Sequence, residues 1–277
     1  MAATTSTTLD DLFANIIAQA RFTAEQQSLM LGLVTPYNIG STPGKTIQIP
    51  KYPSIAAAAL TEGTDMSSTT VSTSSVTVTI AEVGAQVLLT DLARDGHGNP
   101  ATELGTVLGS AIAKKMDQDL LALFDGFSTS LGSAGTEITV ADIFKAVAIL
   151  QNNNAPGSLA AVIHPYTAYQ LKANLTNTFA NPHGGDAQNE AMRSSFVGSL
   201  GGVDIFQSSN LTVDGNDDVK GAVFSREALA IALKRDFQIE TQRDASLRAT
   251  ELNATAVYGV GELDDTYGVE LFFDAAV

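Results

Sequence analysis

Between Asn99 and Asp125, apolar residues recur every three or four positions, at Leu104, Val107, Leu108, Ala111, Ile112, Met116, Leu120, Leu123 and Phe124. That is the spacing of a helix with one buried stripe. Asn99 suits the cap and Pro100 the first turn, where a missing N–H is no loss. At about 1.5 Å per residue the helix is roughly 40 Å long, well beyond three or four turns, and it serves as a spine. Gly105 and Gly109 inside it each cost roughly 1 kcal/mol against alanine, which predicts a closely packed neighbour. Lys114, Lys115, Asp117, Gln118 and Asp119 mark the polar face and interrupt the run before about 18 apolar residues accumulate, so it reads as a soluble helix and not a membrane span.

Ahead of the spine, Leu9, Leu12, Phe13, Ile16 and Ile17 have helical spacing. The first 35 residues read as an arm with one short amphipathic helix, whose apolar face needs its own core or a neighbouring chain. Lys45 to Pro50 reads as a strand with Ile47 and Ile49 on one side. Residues 54 to 80 are mostly small, Ser or Thr and cannot bury much alone. Their end alternates, with Val76, Val78 and Ile80 on one side and Thr77 and Thr79 on the other. Residues 50 to 80 are therefore expected to form a long two-stranded excursion that rests against something, such as another subunit. A mobile surface loop is the alternative that composition supports equally. Val83 to Leu89 continues as a second strand.

Beyond the spine, Ser128 to Gly135 reads as a flexible connector. Thr139 with Asp142 resembles a capping box for a helix through Ile143, Phe144, Val147 and Leu150, ended by Asn152 to Gly157. Leu159 to Ile163 is a buried strand, and His164 with Pro165 opens a helix carrying Tyr166, Tyr169 and Leu171. Asn181 to Asn189 is a polar loop and Gly198 to Gly202 a glycine turn. Strands follow at Val203 to Phe206, at Val219 to Phe224 and Leu229 to Leu233 around a turn at Ser225, then at Leu252 to Val260 and Val269 to Phe273. The chain is thus α+β, with α/β alternation after the spine.

At 277 residues the chain can form one elaborate domain or two intimately joined ones. It has no cysteine, which excludes disulfides, thiolate catalysis and cysteine-based zinc or iron–sulfur sites. The amino terminus shows no basic region followed by an apolar core, so no secretion signal is expected and the sequons at Asn174, Asn210 and Asn253 carry no meaning. With 15 basic and 30 acidic residues the net charge is -15, which opposes wrapping duplex DNA; acidity also simply keeps a protein in solution. From Lys234 to Glu251, four basic and four acidic residues crowd together. This is a solvated charged strand, or a mixed-charge contact that must choose its register.

Candidate chemistry is thin. His97, His164 and His183 show no metal-site spacing, and His164 reads as a helix cap. Gly259, Gly261 and Asp264 begin like a dinucleotide fingerprint and fail at the last glycine; no phosphate-binding loop is present. Asp214, Asn216 and Asp218 imitate the start of a calcium loop, but Val219 stands where its glycine belongs and Ser225 where its glutamate belongs. Gly198 to Gly202 is not a nucleophile elbow. Glu262, Asp264 and Asp265 could pair as catalytic carboxylates, although acids in a turn between strands are usually just solvated. No catalytic, cofactor or metal residue is assigned, and no enzyme is expected.

The order of parts carries a resemblance. EGTDMSSTTVSTSSVTVTIAEVGAQVLLTDLARD at Glu62 to Asp95, AIAKKMDQDLLALF at Ala111 to Phe124, GSLGGVDIFQSSNL at Gly198 to Leu211 and AVFSREALAIALKRDFQIETQRDASLRATELNATAVYGVG at Ala222 to Gly261 together cover most of the chain. As an ordered set they look like a tailed-phage major capsid protein of the HK97 type. The resemblance implies an N-terminal arm at 1–44, an extended E-loop hairpin at 45–80, a peripheral domain with the spine helix at 81–127, an axial α/β domain at 128–224 and return strands of the peripheral domain at 225–277. It further implies hexamers and pentamers closing an icosahedral shell, assembled in the bacterial host cytoplasm, around double-stranded DNA bound without sequence specificity. Scaffolding, portal and decoration proteins are the implied partners, and no membrane. The excursion and arm then pack on neighbouring subunits, and the acidity gives an inner wall that does not adhere to DNA. Some family members crosslink a loop lysine to an asparagine; here Lys45 and Lys51 lie near the base of the E-loop, and no crosslink is expected. The chain leaves no room for a cleavable scaffolding segment ahead of the arm, so a separate scaffolding protein or a prior cleavage is expected. An encapsulin-type compartment is the structural alternative, and an acidic carbohydrate-acting enzyme or binding module using Glu262, Asp264 and Asp265 is the alternative of a different class.

Overall fold

The computed structural model describes residues 28–40, 43–53, 55–57, 59–63, 65–66, 68, 70–92, 101–179 and 198–276. The helix expected at Leu9 to Ile17, the cap at Asn99 and Pro100, His97, His183 and the loop at Asn181 to Asn189 lie outside the described residues.

The spine is α1, Ala101–Leu121, followed by a 3-10 turn at Ala122–Gly126. Leu108, Ile112, Met116, Leu120 and Phe124 are buried as their spacing predicts. Val107 and Ala111 instead face solvent, and their places on the inner face go to Gly109, Ala113 and the carboxylate of Asp117. The inner face is therefore rotated toward small residues. Gly105 and Gly109 are both buried on it, and α1 lies against the strands β4, Ala81–Thr90, and β11, Ala249–Glu262.

Those two strands belong to a four-stranded sheet of order β1-β10-β11-β4, with β1 at Thr35–Asn38 and β10 at Leu229–Asp244. β1 runs parallel to β10, and the other pairs are antiparallel. Alternation is clean along β11, where Leu252, Ala254, Ala256 and Tyr258 turn inward. β10 is buried from Leu229 to Ala232, then breaks register twice between Leu233 and Gln238. Past Lys234 only Phe237 is buried. The expected charged strip is this outer half of β10 with the turn beyond it, mostly exposed.

A six-stranded sheet has the order β5-β12-β9-β6-β8-β7. Its members are β5, Ser130–Gly132; β6, Leu159–Ile163; β7, Gly198–Leu200; β8, Val203–Gln207; β9, Asp218–Ser225; and β12, Gly268–Asp274. One sequence expectation changes here, and one pairing is added. The connector at Ser128 to Gly135 holds β5, paired parallel to β12. The two last strands form where expected and enter different sheets: β11 stays in the four-stranded sheet, while β12 crosses over and pairs antiparallel with β9. The 225–277 segment is thus shared between the sheets, because Val269, Leu271 and Phe273 complete the core of the second one. α2, Val140–Asn152, starts at Thr139, whose backbone N–H and hydroxyl both donate to Asp142 at 3.0 and 2.7 Å. α3, Pro165–Phe179, is entered through His164, whose Nδ1 accepts from the Tyr166 N–H at 3.3 Å. Leu200 and Val203 pair across a two-residue turn in which Gly201 and Gly202 have φ of 61° and 86°, which L side chains rarely adopt.

One core joins the sheets. Phe124 stacks on Phe127 at 6.3 Å and tilts against Phe224 at 5.3 Å, so the end of the spine is clamped onto β9. A second core lies between the six-stranded sheet and the helices α2 and α3, around Ile143, Leu150, Ile163, Leu171 and Ile205.

Candidate functional site

The part of the fold that the cores do not explain is an antiparallel hairpin of β2, Thr46–Lys51, and β3, Ser74–Thr79. Ile47 pairs with Val78 and Ile49 with Val76, so the apolar positions face one way as their alternation predicts. β3 runs almost directly into β4, with only Ile80 between, so the chain exchanges β2 for β11 as its partner within a few residues.

The root is fixed by three contacts. The Ile80 N–H donates to the Lys45 carbonyl at 2.8 Å. Lys234 Nζ donates to the Gly44 carbonyl at 2.5 Å. Val78 and Thr79 sit directly on β11, where a Cβ at Gly259 would lie 2.4 Å from the Thr79 oxygen and one at Gly261 would lie 2.7 Å from Val78 Cγ2. The glycines that read as a failed nucleotide fingerprint are a seat: alternate positions on one strand face are stripped of side chains so that another strand can cross. A cleft of about 360 Å³ lies beside the root between β1 and β2, lined among others by Tyr37, Ile39, Ile47 and Ile80.

Further out, Lys51 at the end of β2 reaches Asp264 Oδ2 at 2.5 Å. Beyond Lys51 the described residues of the limb between Tyr52 and Thr73 hold no strand, and Tyr52, Ile55, Leu60, Met66 and Val71 are all exposed, Met66 by 75%. A row of large apolar groups in water on a limb held only at its base has no intrachain reason. Within the described residues this is the surface that asks for a partner.

The acidic turn after β11 does not assemble an acid–base pair. Asp264 accepts from Thr266 N and Oγ1 at 3.1 and 2.7 Å and holds Lys51; Asp265 accepts from Ser128 N at 2.7 Å and from its hydroxyl. Burial, then the charges of Asp265 and Asp264, push Glu262 above the usual carboxylate range, against a small pull from Lys51. Burial alone would raise Asp264 too, but its hydrogen bonds with Lys51 and Thr266 outweigh that and hold it low. The aspartates act as turn caps and as an anchor. The calcium-like sequence is also a turn: Asp214 Oδ1 accepts from the N–H groups of Asn216 and Asp218, while Asp218 accepts from Gly135 N. Burial lowers His164, which acts as a helix cap and packs edge-on against Tyr166. Among the described residues no three acids or histidines group as a metal site, and no helix is long and apolar enough to cross a membrane.

Two positions escaped the sequence reading. Asp117, read as part of the polar face, is 1% exposed and accepts from Ser28 Oγ at 2.8 Å, Leu29 N at 3.1 Å and Met30 N at 3.2 Å, with Asn210 Nδ2 at 3.4 Å. It ties Ser28 to Met30, within the segment read as the arm, to the spine. Lys51 is the other, and a single charge at a strand end gave no signal. For Gly259 and Gly261 the signal was present in their two-residue spacing.

A model of the phage capsid protein family matches residues 54–270. The chain is 25% identical over 234 residues, 83% of its length and 81% of the relative's, to the major capsid protein of Staphylococcus phage phiMR11. Among solved structures it is similar to the capsid of cyanophage P-SCSP1u, with a TM-score of 0.71 at 19% identity over 90% of this chain and 89% of that one. It is also similar to the head structure of Helicobacter pylori bacteriophage KHP40, with a TM-score of 0.70 at 11% identity over 90% and 91% of the two chains. The mixed α and β architecture fits an HK97-like fold.

Proposed function

The chain belongs to the phage capsid protein family, as a structural protein of the virion and not an enzyme, and from that premise we propose how its parts serve as the major capsid protein of a tailed phage. Residues 45–80 are the E-loop, laid over a neighbouring subunit. Residues 1–44 are the arm, 81–127 the peripheral domain with the spine helix, 128–224 the axial domain and 225–277 the return strands, of which β12 serves the axial sheet. Subunits group as hexamers and pentamers, assembled in the host cytoplasm into an icosahedral shell around double-stranded DNA, with scaffolding, portal and decoration proteins as partners.

The exposed limb carries this reading. Tyr52, Ile55, Leu60 and Met66 lie in water in the single chain, and in a closed shell every copy offers the surface that covers the next copy's limb. The net charge of -15 suits an inner wall that DNA does not coat; tight, salt-sensitive DNA binding by shells would contradict that.

Negative-stain electron microscopy and gel filtration test the proposal, on the protein expressed alone and with its neighbouring reading frames. Hollow shells, or rings of five and six, are expected; a clean monomer under both conditions would overturn it. No covalent crosslink is expected, since Lys51 is engaged by Asp264 and Lys45 lies at the base of the hairpin. Shells should dissociate to single-chain bands on denaturing gels, and a ladder would contradict this.

A further inference from the structure

The hairpin is held by unequal contacts. Gly44, Lys45, Val78, Thr79 and Ile80 all lie at one end, where the strands leave the body, and together they make a pivot. Lys51 lies at the other end of β2, about 20 Å further out at 3.3 Å per residue. Its partner does not move with the hairpin. Asp264 is fixed by Thr266 N and Oγ1, and its own N–H bonds the Ala228 carbonyl at 3.3 Å. Lys51 is about half exposed while Asp264 is largely covered, so the anchor is built into the body and the lysine comes to it from the limb.

We propose that Lys51 and Asp264 are positioning residues that set the direction in which the hairpin limb projects from the subunit. A restraint at the far end of a lever fixes its angle far better than a contact at the pivot. A loss of one ion pair at Lys51 frees the angle, and the 22 residues beyond it, Tyr52 to Thr73, carry that freedom outward to Leu60 and Met66. With Lys51 about half exposed, this single pair contributes little to folding, so the limb can be released without unfolding the body. The surroundings sharpen the choice of charge: Glu262 and Asp265 flank Asp264 in sequence and act on the same turn, so only a cation docks there. This assignment rests on reading residues 45–80 as an intersubunit limb for its purpose, but not for its test.

The chain has no cysteine, so Val71→Cys on the limb and Leu247→Cys on the β10–β11 turn, both exposed, accept a clean pair of spin labels. Double electron–electron resonance on the unassembled protein then reads the angle as a distance distribution. The width should roughly double in Lys51→Glu, Lys51→Gln and Asp264→Asn, the last of which keeps an oxygen for Thr266, and stay narrow in Lys51→Arg. Equal widths in all variants, or broadening in Lys51→Arg matching that in Lys51→Gln, would overturn the assignment. In assembly, Lys51→Glu should lower the yield of closed shells about tenfold by placing like charges at the anchor, with melting at neutral pH lowered only slightly, in the same direction as in Asp264→Asn. Failure of the unsubstituted protein to form shells would speak against the capsid arrangement alone, because the spin-label result stands without assembly.

Discussion

The six-stranded sheet and the hairpin are both β structure, yet they satisfy their side chains in opposite ways. Along β6, LAAVI, every residue after Leu159 is buried, and β9 next to it is buried from Val219 to Ser225 except at Lys220. Along β2 and β3 only Val78 is buried, although Ile47, Ile49 and Val76 have the same alternation. The sheet has helices over it and an opposing core, whereas the hairpin has one glycine-lined strand under its root and, further out, the single charged contact of Lys51 with Asp264. A strand pair without a covered face is marginal in water. Alternation therefore states which face wants cover, and only the tertiary surroundings state whether the chain itself supplies it.

Three variants grade that contrast. Phe224→Ala empties a fully buried ring site shared with Phe124 and should cost about 3–5 kcal/mol in denaturant unfolding of the unassembled chain; a loss below about 1 kcal/mol would mean that the two sheets are not joined through this cluster. Gly259→Ala forces a methyl to within 2.4 Å of the Thr79 oxygen, an overpacking expected to cost about 1–3 kcal/mol. It should also speed amide exchange at Ile80, whose N–H closes the hairpin. An unperturbed exchange rate would show that the glycine seat does not hold the root. Leu60→Ser with Met66→Ser should leave folding within about 0.5 kcal/mol, since both side chains are exposed, while reducing shell formation. If instead the double variant unfolds more easily, the limb packs on its own subunit and the contrast fails.

How much of this was legible follows from where the information sits. The spine, the capping box at Thr139 and Asp142, the alternating faces of β2, β3 and β4, and the strand at Leu159 to Ile163 are local periodicities, and they were readable. Sheet membership was not, because β9 and β10 flank one short turn at Ser225 and yet enter different sheets, and β12 returns to the sheet that β9 left. Val107 and Ala111 belonged to the helical stripe by spacing, but what covers α1 is a face that includes Asp117. A buried carboxylate is unreadable from sequence when its partners are backbone N–H groups almost ninety positions away. At the root, the two glycines on one face of β11 were visible but read only as a failed nucleotide fingerprint; their meaning needed the strand that crosses them.

The acidic turn beneath the outer end of the hairpin offers the smallest effect, and two neighbouring carboxylates should show it with opposite sign. Glu262 is held above its ordinary range by burial and by Asp265 and Asp264. The folded state therefore binds its proton more firmly than the unfolded chain does. That contribution to stability is complete below the unfolded value and is lost as pH rises through the folded one. At pH 7 the ionised Glu262 thus opposes folding, and Glu262→Gln should melt higher than the unsubstituted protein. Asp264 is the reverse case: Lys51 and Thr266 overcome burial and hold it low, so its contribution is present above the unfolded value and is lost as pH falls through the folded one. Asp264→Asn should therefore melt lower at pH 7. Both differences shrink toward zero on acidification, as the two carboxylates take up protons in either state. Calorimetric melting of the three proteins between about pH 3 and 8 checks this, and two shifts of the same sign at neutral pH would show that Lys51 does not hold Asp264 in its ionised form. The hairpin would then lack its outer restraint, and the seat on Gly259 and Gly261 would have to fix its direction alone.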